Sequence, residues 1–207
     1  IVNLKLDALP VARYFANRGL CGAIKTPPSN LRFHPSLKYF HEGKSLGSYP
    51  CLLAPIFNPE GVVVGLHRTY LTEHGNKANV PSPKKLMTSI MSGITRGGAI
   101  RLYEATDCLA VTEGIETAIA VYLSTGWPVW ACVSAGMLER VVIPEQVETL
   151  YIMADKDRND TGLNSANALA NRYPHLNIKT LLPTQPIPDD QKSIDWCDTL
   201  TSIKEVG

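Results

Sequence analysis

The chain has 207 residues, 44% apolar and 19% charged, with 15 Gly and 15 Pro. That is one large domain or two small ones with room for a core, and it excludes bulk disorder and collagen-like repeats. Net charge is only +1, yet residues 1–101 hold 13 Lys and Arg against 4 Asp and Glu, while residues 102–207 hold 7 against 15. A basic half suits a polyanion, and an acidic half suits hard cations.

No apolar run approaches the roughly 18 residues of a membrane span and no signal peptide is visible, so no membrane partner is expected. The five cysteines, Cys21, Cys51, Cys108, Cys132 and Cys197, are scattered, odd in number and without a CxxC. They argue against a disulfide framework or a zinc ribbon, and a reducing, cytoplasmic setting is the expectation. The chain opens at Ile1 rather than Met, which points to a piece of a longer protein.

In chain order, Ala8 to Phe15 has helical apolar spacing, with Pro10 early and Gly19 as the stop. Residues 26–50, rich in Pro, Ser, Gly, Lys and His, read as loops with short strands. Leu52 to Phe57 reads as a strand, Asn58-Pro59-Glu60-Gly61 as a turn, and Val62 to Leu71 as the second arm of a hairpin. Residues 72–98 return to loop composition. From Leu102 onward, short apolar runs alternate with helical stretches. Strands are expected at Leu109–Thr112, Val129–Val133, Leu150–Ala154 and Ile178–Leu182. Helices are expected at Ile115–Leu123, ended near Gly126, at Leu163–Arg172, and from near Asp195. Such alternation predicts an α/β fold with a mostly parallel sheet flanked by helices, preceded by a smaller basic α+β module. The modules are expected at residues 1–101 and 102–207.

Sites of such sheets lie beyond the carboxyl ends of strands. Three of those ends carry acids: Glu113 with Glu116, Asp155 with Asp157, and Asp195 with Asp198. Carboxylates gathered without His or Cys repel one another unless cations sit among them, which predicts Mg²⁺ or Mn²⁺. Metal-assisted phosphoryl or nucleotidyl transfer uses that arrangement. Most of these acids also have a plain structural role open to them: Glu113 and Glu116 at a helix N-terminus, Asp157 or Asp160 as a cap, Asp195 and Asp198 as a cap and a solvated face. Asp155 to Asp160 is not a calcium loop, because its sixth position is Asp160 rather than Gly and its twelfth is Ala166 rather than Glu. It is not the DxDxT of dehalogenase-like phosphatases either, since Asn159 stands where Thr is needed. No P-loop and no GxGxxG occurs.

Leu109-Ala110-Val111-Thr112-Glu113-Gly114, followed by the turn Ser134-Ala135-Gly136 and by Tyr151-Ile152-Met153-Ala154-Asp155-Lys156-Asp157, resembles the signature of the Toprim domain. That domain is shared by DnaG-type primases, type IA and type II topoisomerases and some nucleases. Asp195-Trp196-Cys197-Asp198 is similar to the ending of plasmid and phage primase versions. Upstream, Arg32-Phe33-His34-Pro35, Gly65 to Leu71, Pro83 to Met87 and Gly97 to Leu102 resemble the segment preceding Toprim in primases of mobile elements.

The resemblance implies a DNA primase core that makes RNA primers on a single-stranded DNA template from ribonucleoside triphosphates, with a replicative helicase as a further partner. It implies Glu113 as general acid/base and metal contact, Asp155 and Asp157 as metal holders, and Asp195 and Asp198 as outer ligands. Arg68, Lys84, Lys85, Arg96 and Arg101 are expected on phosphates, and His67 and Tyr70 on bases. Glu116 either faces the site or stabilises its helix. The zinc-binding domain of family primases has no counterpart among these residues. Two other readings stay open: a Toprim metal-dependent nuclease, and a non-catalytic module that binds DNA or replication proteins.

Overall fold

The computed structural model describes residues 2–3, 8–25, 27–87 and 93–202. Two five-stranded sheets are built from the two halves of the chain. The first is antiparallel, in the order β1 (Val2–Asn3), β2 (Arg32–His41), β3 (Lys44–Phe57), β4 (Val63–Tyr70), β5 (Lys84–Leu86). It is preceded on the chain by α1 (Leu9–Asn17) and α2 (Gly22–Lys25). The second follows the order β11 (Asn177–Leu181), β9 (Thr149–Met153), β7 (Cys108–Thr112), β8 (Val129–Ala131), β6 (Ile100–Arg101). All of its pairs are parallel except the edge pair β6–β8. The helices α3 (Ile115–Thr125), α4 (Ala135–Leu138), α5 (Thr161–Arg172) and α6 (Trp196–Ser202) complete this half, with a small antiparallel pair, β10 (Lys156–Asp157) and β12 (Ser193–Ile194). Among the described residues no helix is long and apolar enough to cross a membrane.

The parallel strands read as continuous apolar runs because helices cover both faces of their sheet. Alternate residues go to opposite sides. Ala110, Val129, Ala131 and Met153 face a core shared with α1, α3 and the first sheet. Leu109, Val111, Trp130, Cys132, Leu150 and Ile152 face a second core with Ala166 and Leu169 of α5. The helix α3 is buried nearly all round, as a helix wedged between a sheet and a neighbouring module must be. It ends where Gly126, at φ 73°, donates its N–H to the Tyr122 carbonyl. The helices after the adjacent strands β7 and β9 therefore lie on opposite faces. That divergence opens a crevice between the carboxyl ends of those two strands.

Three expectations are corrected. Residues 26–50, read as loops with short strands, supply the long strand β2 and the first half of β3, so that the strand expected at Leu52–Phe57 is the end of a longer one. The half of this hairpin near the turn at Glu42–Gly43 is, apart from the buried Tyr39, mostly exposed, so its polar composition reflects solvent rather than absence of a ladder. In the stretch read as loop from residue 72, Lys84–Leu86 is a strand, while residues 88–92 lie outside the described residues. Ile100–Arg101, expected to close the first module, is the edge of the second sheet. The two sheets meet where Phe57 and Ala99 exchange backbone hydrogen bonds of 2.9 and 3.0 Å.

Candidate active site

Glu113 leaves the end of β7, and Asp155 leaves the end of β9 two residues beyond Met153. The strands pair Val111 with Ile152, so both acids stand at the crevice where the flanking helices diverge. The third acidic segment arrives through the β10–β12 pair. Its register sets Lys156 against Ile194 and Asp157 against Ser193, so one further step places Asp155 beside Asp195. The backbone around this crossing is tight. A Cβ on Gly162 would lie 2.3 Å from the Asp155 carbonyl oxygen, so only glycine lets α5 start this close to the strand end.

The acids are unequal. Asp155 is pushed up to about 8, first by burial and then by Glu113, Asp195, Asp198 and Asp157 around it. Its Oδ1 is buried with no hydrogen-bond partner. Glu113 is raised by burial and by Asp157, and the N–H of Ala135, at the start of α4, partly offsets this. Asp157 feels little burial. Its Oδ1 accepts the N–H groups of Asn159 and Thr161 at 2.9 and 3.0 Å, and its Oδ2 accepts that of Gly162 at 2.8 Å, which holds its carboxyl below the usual range. Asp157 thus anchors the entry to α5.

Asp195 is raised by burial, partly offset by the Asp198 N–H at 2.9 Å on its Oδ1. Asp198 Oδ2 accepts the Asp195 N–H at 3.4 Å in return, a reciprocal cap on α6. The acidic segment also meets a cation. Arg18, just past α1, sets its Nη2 3.4 Å from Asp198 and 4.0 Å from Asp195. Sequence reasoning missed this contact, because the partners are about 180 residues apart and Arg18 carries no local motif.

Val133, after β8, is a second missed feature. Its φ is +70°, a left-handed conformation that is an outlier for a β-branched residue and costs on the order of 1–3 kcal/mol. Its N–H donates to the Glu113 carbonyl at 2.7 Å, so the strain sits directly against the acid. The turn read at Ser134-Ala135-Gly136 opens α4, where Ser134 Oγ accepts the Met137 N–H.

The expected phosphate and base contacts fare differently. Tyr70 is fully buried, edge-on to Tyr39 at 5.0 Å and to Tyr49 at 6.5 Å, so its ring has no face for a base. His67 is 6% exposed and equally unavailable for stacking. Lys84 Nζ lies 2.9 Å from Glu116, itself 5% exposed and accepting the Tyr14 hydroxyl; this ion pair ties β5 to α3. Glu116 accordingly joins the modules rather than facing the crevice. Lys85 donates to the Phe40 carbonyl and lies over the Tyr39 ring at 4.5 Å. Arg68 bonds the Tyr70 hydroxyl at 3.3 Å and the Leu86 carbonyl at 3.1 Å. Arg101 bonds the Asn58 and Pro59 carbonyls and stacks on Trp130 at 4.6 Å, clamping the β3–β4 turn to the second sheet. These cations hold the fold, while Arg96 is exposed.

His67 supplies a pH test. Burial, reinforced by Lys84, lowers it to about 4. An unfolded histidine near 6.5 binds its proton at higher pH, so stability is lost as pH falls from about 6.5 toward 4. Urea unfolding at pH 7 and pH 5 is expected to show this loss, and a His67→Leu variant a flatter profile. Equal slopes in the two proteins would contradict the assignment.

Residues 4–102 match a model described as a domain of unknown function (DUF7146), and residues 108–203 match the model of the Toprim domain. The chain is similar to the solved DnaG catalytic core at 17% identity, covering 97% of this chain and 73% of that one, with a TM-score of 0.59. It is similar to the E. coli primase catalytic core at 16% identity, covering 94% and 69%, with a TM-score of 0.58. A DnaG primase catalytic domain bound to single-stranded DNA is similar at 15% identity, covering 95% and 70%, with a TM-score of 0.58. At such identities the likeness is one of fold. No curated protein matches the chain by sequence.

Proposed function

We propose that this chain, whose residues 108–203 are a Toprim domain and whose fold is that of DnaG-type primase catalytic cores, joins ribonucleoside triphosphates into primers on a single-stranded DNA template. One observation carries the reading: Asp155, half-buried with a buried and unpartnered Oδ1, is surrounded by four other acids at the crevice of the parallel sheet. Carboxyl oxygen in that setting fits a hard divalent cation.

Among the described residues no three His, Cys, Asp or Glu side chains are grouped to cage an ion by themselves. Mg²⁺ or Mn²⁺ takes one or two carboxylates and completes its shell with water and phosphate oxygens. Asp155 and Glu113 would hold the cation, while Asp157 fixes the backbone at the start of α5 beside them. The cation supplies charge stabilisation of the transferring phosphoryl group.

The chain's own residues do the rest. The Glu113 carboxylate, its basicity raised by burial, accepts the proton of the 3′-hydroxyl as that oxygen bonds the α-phosphorus of the incoming nucleotide and the α–β phosphoanhydride bond breaks to release pyrophosphate. The Ala135 N–H and the strained Val133 hold Glu113 in place for this. The reading makes the template and ribonucleoside triphosphates the substrates, and a replicative helicase the partner at a plasmid or phage fork.

The test is incorporation of labelled ribonucleotides on a single-stranded template by the full-length protein. Oligoribonucleotides that require template, nucleotides and Mg²⁺ or Mn²⁺ are expected. Nicking of plasmid without nucleotides would make the chain a nuclease. Absence of Mn²⁺ binding at millimolar concentration would make it a non-catalytic module.

A further inference from the structure

A cleft of about 300 Å³ lies between the turn at residues 93–97 and α4, at the seam of the two halves. Its walls include Thr95, Arg96, Gly97, Gly136, Met137 and Arg140, and among the described residues none that lines it is acidic. The walls are fixed to one another. The Gly97 carbonyl accepts the Val142 N–H at 2.9 Å. Gly97 has φ 78°, and a Cβ there would come within 2.9 Å of the Val142 side chain, so the turn closes only with glycine.

The backbone at Gly136 is open: a Cβ there would meet nothing nearer than Arg140 Nη1 at 3.8 Å. Arg96 and Arg140 are both exposed, and Arg140 Nη1 reaches back to the Gly136 carbonyl at 3.3 Å. Two guanidinium groups beside bare glycine backbone, in a concavity whose described lining carries no carboxylate, match the oxygens of a phosphate. The position matters as well. The first residue of α4, Ala135, donates its N–H to Glu113, and the four residues of α4 span only about 6 Å. The cleft and the acidic crevice are therefore neighbours along α4, with Ala135 bonding Glu113 and the next residue, Gly136, lining the cleft.

We propose that this cleft is a phosphate-binding subsite, in which Arg140 and Arg96 hold a phosphate of the strand or nucleotide whose reacting end lies at Glu113. The subsite rests on the primase reading for its role but not for its ligand chemistry. Two sources share that chemistry: the phosphodiester backbone of the template or primer strand, and the triphosphate of the incoming nucleotide.

The experiment measures both in full-length protein and in the variants Arg140→Ala, Arg96→Ala and the double. Labelled single-stranded DNA is followed by fluorescence anisotropy across a salt series, and a radiolabelled ribonucleoside triphosphate with Mg²⁺ by equilibrium dialysis. If the strand occupies the cleft, the double variant loses DNA affinity at least fivefold, and its log–log salt slope flattens by ~0.7, the value for one phosphate contact on a single strand. Arg140→Lys then keeps the slope. If the triphosphate occupies it, nucleotide affinity falls at least fivefold and DNA affinity is unchanged. Both affinities within twofold of the parent, with an unchanged unfolding midpoint, would overturn the proposal. A parent that binds through these arginines yet makes no primers would instead refute the primase reading and leave the subsite standing.

Discussion

Replacing Glu113 with Gln is expected to lower primer synthesis by about 10²- to 10⁴-fold, the contribution of a positioned general base, while raising the unfolding midpoint slightly. The two effects have one cause. Burial and the charge of Asp157 make the ionised form of Glu113 unfavourable in the folded chain, since its pKa is raised. An acid whose folded pKa lies above its unfolded value subtracts stability once pH exceeds the unfolded value. An amide removes that penalty and keeps an oxygen for the Ala135 N–H, but it cannot take the 3′-hydroxyl proton. The measurements are labelled-nucleotide incorporation and thermal unfolding on the same preparations. Activity within tenfold of the parent would remove Glu113 from the chemistry. A large fall in the midpoint would make it a structural acid.

The crevice was legible in the sequence because parallel strands announce themselves. Leu109–Thr112 and Leu150–Ala154 are apolar on both faces, and Glu113 and Asp155 break those runs where the chain leaves the sheet. The basic module was not legible in the same way. The exposed half of the β2–β3 hairpin is polar enough to pass for a loop, and its strands are defined only by pairing with each other. His67 and Tyr70, three apart and so on opposite faces of β4, were expected to meet bases. Both are buried, because one face of that sheet packs against α3 and the other holds the Tyr39–Tyr70 cluster. Lysines and arginines carry no mark of whether they face solvent or a partner far along the chain. Lys84 meets Glu116 across 32 residues, and Arg18 meets Asp198 across 180.

The Lys84–Glu116 pair carries the second large effect. Burial alone would raise the Glu116 carboxyl, but Lys84 beside it and the Tyr14 hydroxyl outweigh burial and hold it at about 2. Lys84→Met leaves that carboxylate in place, 5% exposed, with its cation gone. Breaking one side of a buried pair costs about 3–5 kcal/mol. The Lys84 side chain is 38% exposed, so the lower end of that range applies. For a chain of this size ~3 kcal/mol corresponds to a fall of about 6–12 °C in Tm.

Adding Glu116→Gln should restore much of the loss, since the amide oxygen still accepts the Tyr14 hydroxyl and no charge stays buried. The pH dependence separates this from simple loss of packing. In the parent, the pair's stabilisation is complete above the unfolded carboxylate value near 4.5 and is lost as pH falls toward 2. In Lys84→Met, burial without the cation raises the Glu116 pKa above its unfolded value. Its folded state then gains protons as pH falls from 7 to 5, and the difference between the two proteins narrows. A gap that stays constant over that range would show that Lys84 acts through its methylene stem alone, and that β5 and α3 are not joined by charge.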